Sequence, residues 1–212
     1  MRTKYLRLVG VGILFFSFLS AAVFATPEED FARAEISFNR EDMKEATRLL
    51  RLAADQNYLP AQVRLGELMK GAEDFEEAFG WFLSAAFQGD AEGQYNVGMM
   101  YALGEGTNKS PEKALYWTKK AGEQNNLAAV KLLAISYSSV TDDKGSKLTV
   151  TNALGVMPSQ EQADFWNAKL PELQEVENKR ERKAQAAAAK KRAEDIKKAR
   201  EEQSKLLCGL KC

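Results

Sequence analysis

The sequence predicts an all-α protein, a short α/α solenoid of helical hairpins followed by a long charged C-terminal helix. Three observations predict it. Apolar residues recur at helical spacing in short blocks separated by turn residues. The blocks repeat one another at offsets of 32 or 36 residues. After Pro171 the composition collapses to Glu, Lys, Arg, Gln and Ala, all strong helix formers. Self-similarity at such a period marks architectures in which each unit packs mainly on its neighbours.

The clearest unit spans 91–126. Tyr95, Val97, Gly98 and Tyr101 fall on one helical pattern, and Ala114, Leu115, Trp117, Ala121 and Gly122 on a second, with a Gly-rich, Ser-Pro turn between them. Moving back 36 residues from Ala114, Trp117, Ala121 and Gln124 reaches Ala78, Trp81, Ala85 and Gln88. A further 32 back from Ala78, Ala85, Ala86 and Gln88 lie Ala46, Ala53, Ala54 and Gln56, while Gly98 maps onto Gly66 and, 36 forward, onto Ala134. The missing four residues fall between Met69 and Asp74, so they shorten a turn and spare both helices. Physical reasons attach to the shared positions. Ala85, Ala86, Ala121 and Gly98 let helices approach closely, and Trp81 and Trp117 fill the space between stacked hairpins. Gly104 and Gly106 allow a tight reversal, and Ser110 suits an N-cap with Pro111 at the first helical position.

These residues resemble the Sel-one-like repeat (SLR), a TPR-related hairpin with the pattern AxxxLGxxYxxGxGVxxDxxKAxxWYxKAAxxG. The central copy supplies Gly98, Tyr101, Gly104, Gly106, Lys113, Ala114, Trp117, Lys120 and Ala121, and departs at Val97, Thr107, Ser110, Thr118 and Gly122. The copy before it supplies Leu65, Gly66, Ala78, Trp81, Phe82, Ala85, Ala86 and Gly89. The likeness extends over about 41–137. It implies a scaffold for protein complexes, which in exported bacterial members serves envelope assembly or host contact.

In chain order, Arg2, Lys4 and Arg7 precede an uncharged run that ends Ala22-Val23-Phe24-Ala25, which reads as a secretory signal peptide over 1–25. An uncleaved anchor is the alternative, and either exports the remainder to the periplasm or the medium. Thr26-Pro27-Glu28-Glu29 forms a capping box that opens an N-terminal capping hairpin over 26–57. Repeats fill 58–140. The segment 141–157 reads as a loop, with Asp142-Asp143, the β-branched Thr149-Val150-Thr151 and Gly155. Ser159 and Gln162 suggest a capping box for a closing helix over 158–171, containing Phe165 and Trp166. A charged helix follows over 172–207. Leu173, Val176, Ile196, Leu206 and Leu207 are too sparse for a sustained coiled-coil seam, and the composition is similar to the helical segments of envelope-spanning bacterial proteins. Cys208 and Cys212 close the chain, as a local disulfide or as a link between two tails.

Formal charge balances overall but is segregated. The stretch 26–171 carries 15 basic and 22 acidic residues, net −7, and 172–212 carries 12 basic and 8 acidic, net +4. With 0 histidines, Ser-His-Asp and Cys-His catalysis are excluded, as is the commonest metal ligand. Asp142-Asp143 lacks the spacing of a calcium loop, and two thiolates do not complete a zinc site. No cofactor or metal is expected. Ser110-Pro111-Glu112-Lys113 matches S-x-x-K, the nucleophile motif of penicillin-recognising enzymes, but its S-D-N and K-T-G companions are absent and Lys113 occupies the repeat's own Lys position. Paired carboxylates such as Glu76-Glu77 read as a solvated face. The acidic residues interspersed among Lys190-Lys191-Arg192 and Lys197-Lys198 argue against nucleic acid as a partner.

By analogy with TPR-like geometry, the first helix of each hairpin lines a concave surface. The positions three before, one after and four after the Gly98-type residue lie on one face: Val63, Glu67 and Lys70; Tyr95, Met99 and Ala102; and Lys131, Ile135 and Ser138, of which Val63 and Ile135 read equally as packed against the next hairpin. Of these, Glu67, Lys70, Tyr95, Met99 and Lys131 are the candidate partner-binding residues, a mixture of aromatic, apolar and charged groups suited to a protein or peptide. The expected function is that of an exported, non-enzymatic adaptor, the tail setting distance or self-association. The alternatives are an envelope spacer acting through the tail and, more remotely, a cell-wall enzyme.

Overall fold

The structure, a computed structural model, describes residues 25–138, 140–141, 147–148 and 154–209, with side chains given over 25–138 and 154–203. The signal segment up to Phe24, the Asp142-Asp143 pair, the run Thr149-Val150-Thr151 and any pairing of Cys208 with Cys212 lie outside this description.

Among the described residues seven short helices and one long one follow in order: α1 (Pro27–Asn39), α2 (Met43–Asp55), α3 (Leu59–Gly71), α4 (Phe75–Phe87), α5 (Ala91–Leu103), α6 (Pro111–Glu123), α7 (Leu127–Tyr137) and α8 (Gln160–Gly209). The chain punctuates nearly every start with a side-chain cap. Thr26 and Glu29 form the reciprocal box ahead of α1, with Pro27 in its first turn. Asp42, Asp74, Asp90, Ser110 and Asn126 each accept a backbone N–H from three residues on, so a donor the helix leaves unpaired finds a partner. Ends are turned by left-handed residues, Asn57, Gly89 and Asn125 between hairpins and Glu41 and Glu73 within them. The third hairpin has the longer inner turn, where Gly104 and Gly106 take φ of +80° and +62°. A Cβ on Gly106 would fall on the Phe75 carbonyl, so the turn lies tight against the start of α4.

Helices pair as α1/α2, α3/α4, α5/α6 and α7/α8, and successive hairpins meet through α2/α3, α4/α5 and α6/α7. The core is one apolar cluster through the first three hairpins, with Leu49, Leu50, Leu65, Phe82 and Val97 at its centre, and a second around Val130, Leu133, Leu154 and Trp166. Gly66 faces the Phe82 ring and Gly98 faces Thr118, each in the tightest part of its hairpin. Between hairpins, both guanidinium arms of Arg51 on α2 bind Glu77 on α4, which also accepts from Trp81 Nε1 at 3.0 Å.

Two boundaries expected from the sequence are redrawn. The loop over 141–157 holds a two-residue antiparallel pair, β1 (Val140–Thr141) on β2 (Lys147–Leu148). Its last residues enter the core: Leu154 and Val156 are buried, and a Cβ on Gly155 would come within 2.8 Å of Pro111. The closing helix and the charged helix are one element, because α8 runs straight through Pro171. A proline inside a helix costs roughly 3 kcal/mol. Here Pro171 is exposed while Leu170 and Leu173 on either side of it pack into the second cluster, so tertiary packing carries the helix across the break.

The first turns of α8 are the second helix of a fourth hairpin. Ala163, Trp166 and Lys169 lie 49 residues beyond Ala114, Trp117 and Lys120 and reproduce their arrangement. Tyr116 meets Trp117 edge to face at 5.2 Å with Lys120 over both rings, and Phe165 meets Trp166 at 4.8 Å with Lys169 over both. Beyond Asn178 every described position of α8 through Gln203 is exposed.

Candidate functional site

The first helices of the four hairpins contribute to one face, and three depressions lie along it. One of about 390 Å³ crosses the start of α3 between α1 and α5, floored by Phe31, Leu59, Pro60 and Val63 and edged by Glu67, Asp90 and Glu92. A second, of about 520 Å³, is framed by Phe38, Met43, Arg64 and Leu68. The third, of about 430 Å³, lies where Glu92, Tyr95, Leu127 and Lys131 meet Leu173, Val176, Glu177 and Arg180 of α8. Glu92 borders the first and the third, so the two depressions adjoin at its side chain.

The groove is acidic at its centre. Burial, then the carboxylates of Glu67, Asp90 and Glu177, pushes the Glu92 carboxyl above the usual carboxylate range. Burial, then Glu92, pushes the Tyr95 hydroxyl up as well. Among the described residues neither Asp90 nor Glu92 has a Lys or Arg nitrogen within 4.0 Å, while Arg64, Lys131 and Arg180 line the same depressions without pairing to them. Glu67 is answered: Arg64 Nη1 lies 3.1 Å from it, while the same guanidinium reaches Glu35 at 3.4 Å and stacks over Phe38.

Of the candidates read from the sequence, Tyr95 and Lys131 share the third depression and Glu67 borders the other two. Lys70 and Met99 lie outside all three, and Lys70 Nζ donates to Asn96 Oδ1 at 3.4 Å, bridging α3 to α5. Val63 is half-buried in the groove floor, Ile135 is 71 % exposed, and Ala102 is buried in the second cluster and belongs to the core. Asp90, Glu92, Phe31 and the α8 wall are the residues missed. The wall had a signal, the 49-residue offset from Ala114-Trp117 to Ala163-Trp166.

At the S-x-x-K sequence, Ser110 Oγ accepts the Lys113 backbone N–H at 3.4 Å and donates to Glu112 at 3.2 Å. The Lys113 ammonium lies over the Tyr101 ring at 5.0 Å. The serine caps a helix and the lysine packs on an aromatic face. Among the described residues no group of three or more His, Cys, Asp or Glu is placed to hold a metal.

The Sel1 repeat family model matches 40–58, 59–90 and 91–126. The α3/α4 and α5/α6 hairpins are Sel1 repeats. The second and third matches coincide with α3/α4 and α5/α6, and the first covers α2 and its flanking turns, leaving α1 as an atypical cap. A Sel1 repeat protein from Oxalobacter formigenes is 28 % identical with a TM-score of 0.57, over 69 % of this chain and 58 % of that one. A protective antigen of uropathogenic Escherichia coli strains, described as displaying an SLR fold, is 25 % identical with a TM-score of 0.58, over 69 % of this chain and 30 % of that one. An immunity protein from Pseudomonas aeruginosa shares the fold at 24 % identity and a TM-score of 0.52, over 69 % of this chain and 55 % of that one. A sel1-like repeat-containing protein of Acanthamoeba polyphaga mimivirus is 48 % identical over 42 residues, 20 % of this chain and 7 % of that protein. The chain thus spans less than two thirds of the length of each.

Against the Sel1 pattern, one departure in the third repeat has a packing cause. Thr118 stands at the aromatic position that Phe82 fills one repeat earlier, and Gly122 stands where the pattern has Ala. A Cβ at Gly122 would meet Leu133 at 2.8 Å and the Trp166 ring at 3.0 Å. The glycine makes room for the fourth hairpin.

Proposed function

We propose that this protein is an exported, non-enzymatic adaptor that holds a protein or peptide partner in the groove along the first helices. Sel1-repeat proteins commonly serve as protein-interaction scaffolds. The observation that carries the reading here is that the two depressions adjoin at Glu92, with apolar Phe31, Leu59 and Val63 on one side, Tyr95 on the other and carboxylates between. That surface suits an extended segment placing a basic side chain against Glu92 and Asp90 and apolar residues to either side. Export rests on the basic start and apolar run of 1–25, and predicts that mass spectrometry of protein recovered from cells finds Thr26 at the N-terminus.

Photo-crosslinking probes at Val63 and Tyr95, with Glu112 on the outer helix as control, test the assignment. A discrete partner captured from the two groove positions and not from Glu112 is expected; equal capture at all three would reject it. A spacer is the second reading, favoured by the exposure of α8 along its whole described length beyond Asn178. Removing 172–212 separates them, since an adaptor keeps partner capture and a spacer loses function with capture intact.

A further inference from the structure

The exposed part of α8 has two unlike faces. Between Lys179 and Arg200 it carries 10 Lys and Arg against 3 acidic residues, net +7, in a chain that is neutral overall. At about 100° per residue, Lys179, Lys183, Lys190 and Lys197 fall within an arc of roughly 40°. Arg180 and Lys198 flank that stripe on one side, and Arg182 and Arg200 on the other. The opposite half of the helix holds Ala184, Ala188, Ala189, Ile196 and Ala199, with Arg192 and, at its edge beside Lys198, Lys191 among basic residues. In the linear sequence the cations look interspersed with acids; on the helix Glu181 and Asp195 fall on the opposite half and Glu194 on the basic side.

We infer that this basic face is a docking surface for an anionic phospholipid bilayer. Every residue of the segment is exposed. Among the described residues, only Lys179, Arg180 and Lys197 of the basic face have a carboxylate within 4.0 Å, at 3.6, 3.5 and 4.0 Å. The other cations are uncompensated, and neighbours within 182–183, 190–192 and 198–200 lie along the axis within one screening length, about 8 Å at physiological salt, so an opposing anionic surface relieves their repulsion. A straight row from Lys183 to Lys197, about 21 Å long, matches a plane of headgroups. The other half is too weakly apolar to bury in acyl chains, with Ile196 its one large apolar side chain, and no helix among the described residues is long and apolar enough to cross a membrane. The helix lies on the surface and holds by charge. Nucleic acid fits less well, because 179–200 contains no aromatic residue on which a base would stack. The chain's own acidic hairpins are out of reach, since α8 is unbroken to Gly209 and has no hinge on which to fold back. This inference is independent of the groove.

The test uses the chain from Thr26, whose first helix is capped by Thr26 itself and whose two apolar clusters lie wholly beyond it. Co-sedimentation is measured with phosphatidylcholine vesicles containing about 30 % phosphatidylglycerol, and with phosphatidylcholine alone. Binding to the anionic vesicles at least about tenfold above the neutral ones is expected at about 50 mM salt, and its loss at about 500 mM. Lys183→Glu, Lys190→Glu and Lys197→Glu combined lowers binding about tenfold or more, while Arg192→Glu leaves it within about twofold. Circular dichroism confirms that the variants keep their helix. No preference for anionic vesicles, equal loss in Arg192→Glu, or full binding by the triple variant overturns the inference. So does duplex DNA bound in the absence of vesicle binding, or low-salt oligomers that the triple variant dissolves while vesicles are ignored, which would make a second copy the occupant.

Discussion

Gln124 donates through Nε2 to Gln94 Oε1 at 2.7 Å, and one repeat earlier Gln88 donates in the same way to Gln62 Oε1 at 2.6 Å. Each inner glutamine passes the link on: Gln94 Nε2 donates to the Ala86 carbonyl and Gln62 Nε2 to the Ala54 carbonyl, both at 3.3 Å. Gln62 and Gln94 are buried, so the relay ties each hairpin to the one before it through polar groups water does not reach. In the fourth hairpin the same repeat positions hold Val130 and Leu173, and both join the second apolar cluster.

The relay predicts a non-additive pair. Gln94→Val removes one of the two acceptors of the Gln124 amide, which keeps the Gly89 carbonyl at 2.9 Å, and removes the link to Ala86, and costs about 1–3 kcal/mol by chemical denaturation. Adding Gln124→Leu copies the fourth hairpin and recovers much of that loss. Additive losses in the double variant would show that the hydrogen bond is incidental.

Much of this architecture was legible because Ala, Trp and Gly recur at positions where helix contact tolerates little else, as at Gly66 and Gly98. The closing helix was legible, but its place as the second helix of a fourth hairpin was concealed by a connection 13 residues longer than in the third repeat, an offset of 49 against 36, and its continuation by Pro171, which looks like a terminus when packing is unknown. Leu154 and Val156 gave no sign of burial, since two apolar residues around a glycine have no period. The groove was legible as a face and not as chemistry. Glu92 resembles any surface carboxylate until Glu67, from α3, and Glu177, from α8, are brought beside it and its neighbour Asp90.

Thr118 sits fully buried on α6 against Gly98, and its hydroxyl is without a hydrogen-bond partner. Valine has nearly the same shape and no polar atom to desolvate. Thr118→Val is expected to raise unfolding free energy by about 1 kcal/mol, and an unchanged or lower denaturation midpoint would mean that the hydroxyl is satisfied in solution.

Two carboxylates should respond to pH in opposite directions. Hydrogen bonding from Arg51, opposed by burial and helped by Trp81 and by the Arg51 charge, holds Glu77 below the usual carboxylate range. Its contribution is present above the unfolded pKa and is lost as pH falls through the folded one. Glu92 is shifted up, so stability linked to its protonated form is present below the unfolded pKa and lost as pH rises through the folded one. Glu77→Gln therefore lowers Tm at about pH 7 and has little effect near pH 3, while Glu92→Gln raises Tm by about 1–3 °C at pH 7 and gives no gain near pH 3. Thermal melts of both variants across that range check the signs.

The central claim is that an acidic groove on the first helices receives the partner. Its most direct test is the yield of the partner crosslinked from Tyr95 in the Glu92→Lys variant, compared with the unaltered chain and with Glu112→Lys on the outer helix. The groove account predicts a fall of about tenfold or more for Glu92→Lys and a change within about twofold for Glu112→Lys. An undiminished Tyr95 crosslink in Glu92→Lys would contradict it and place recognition on another surface.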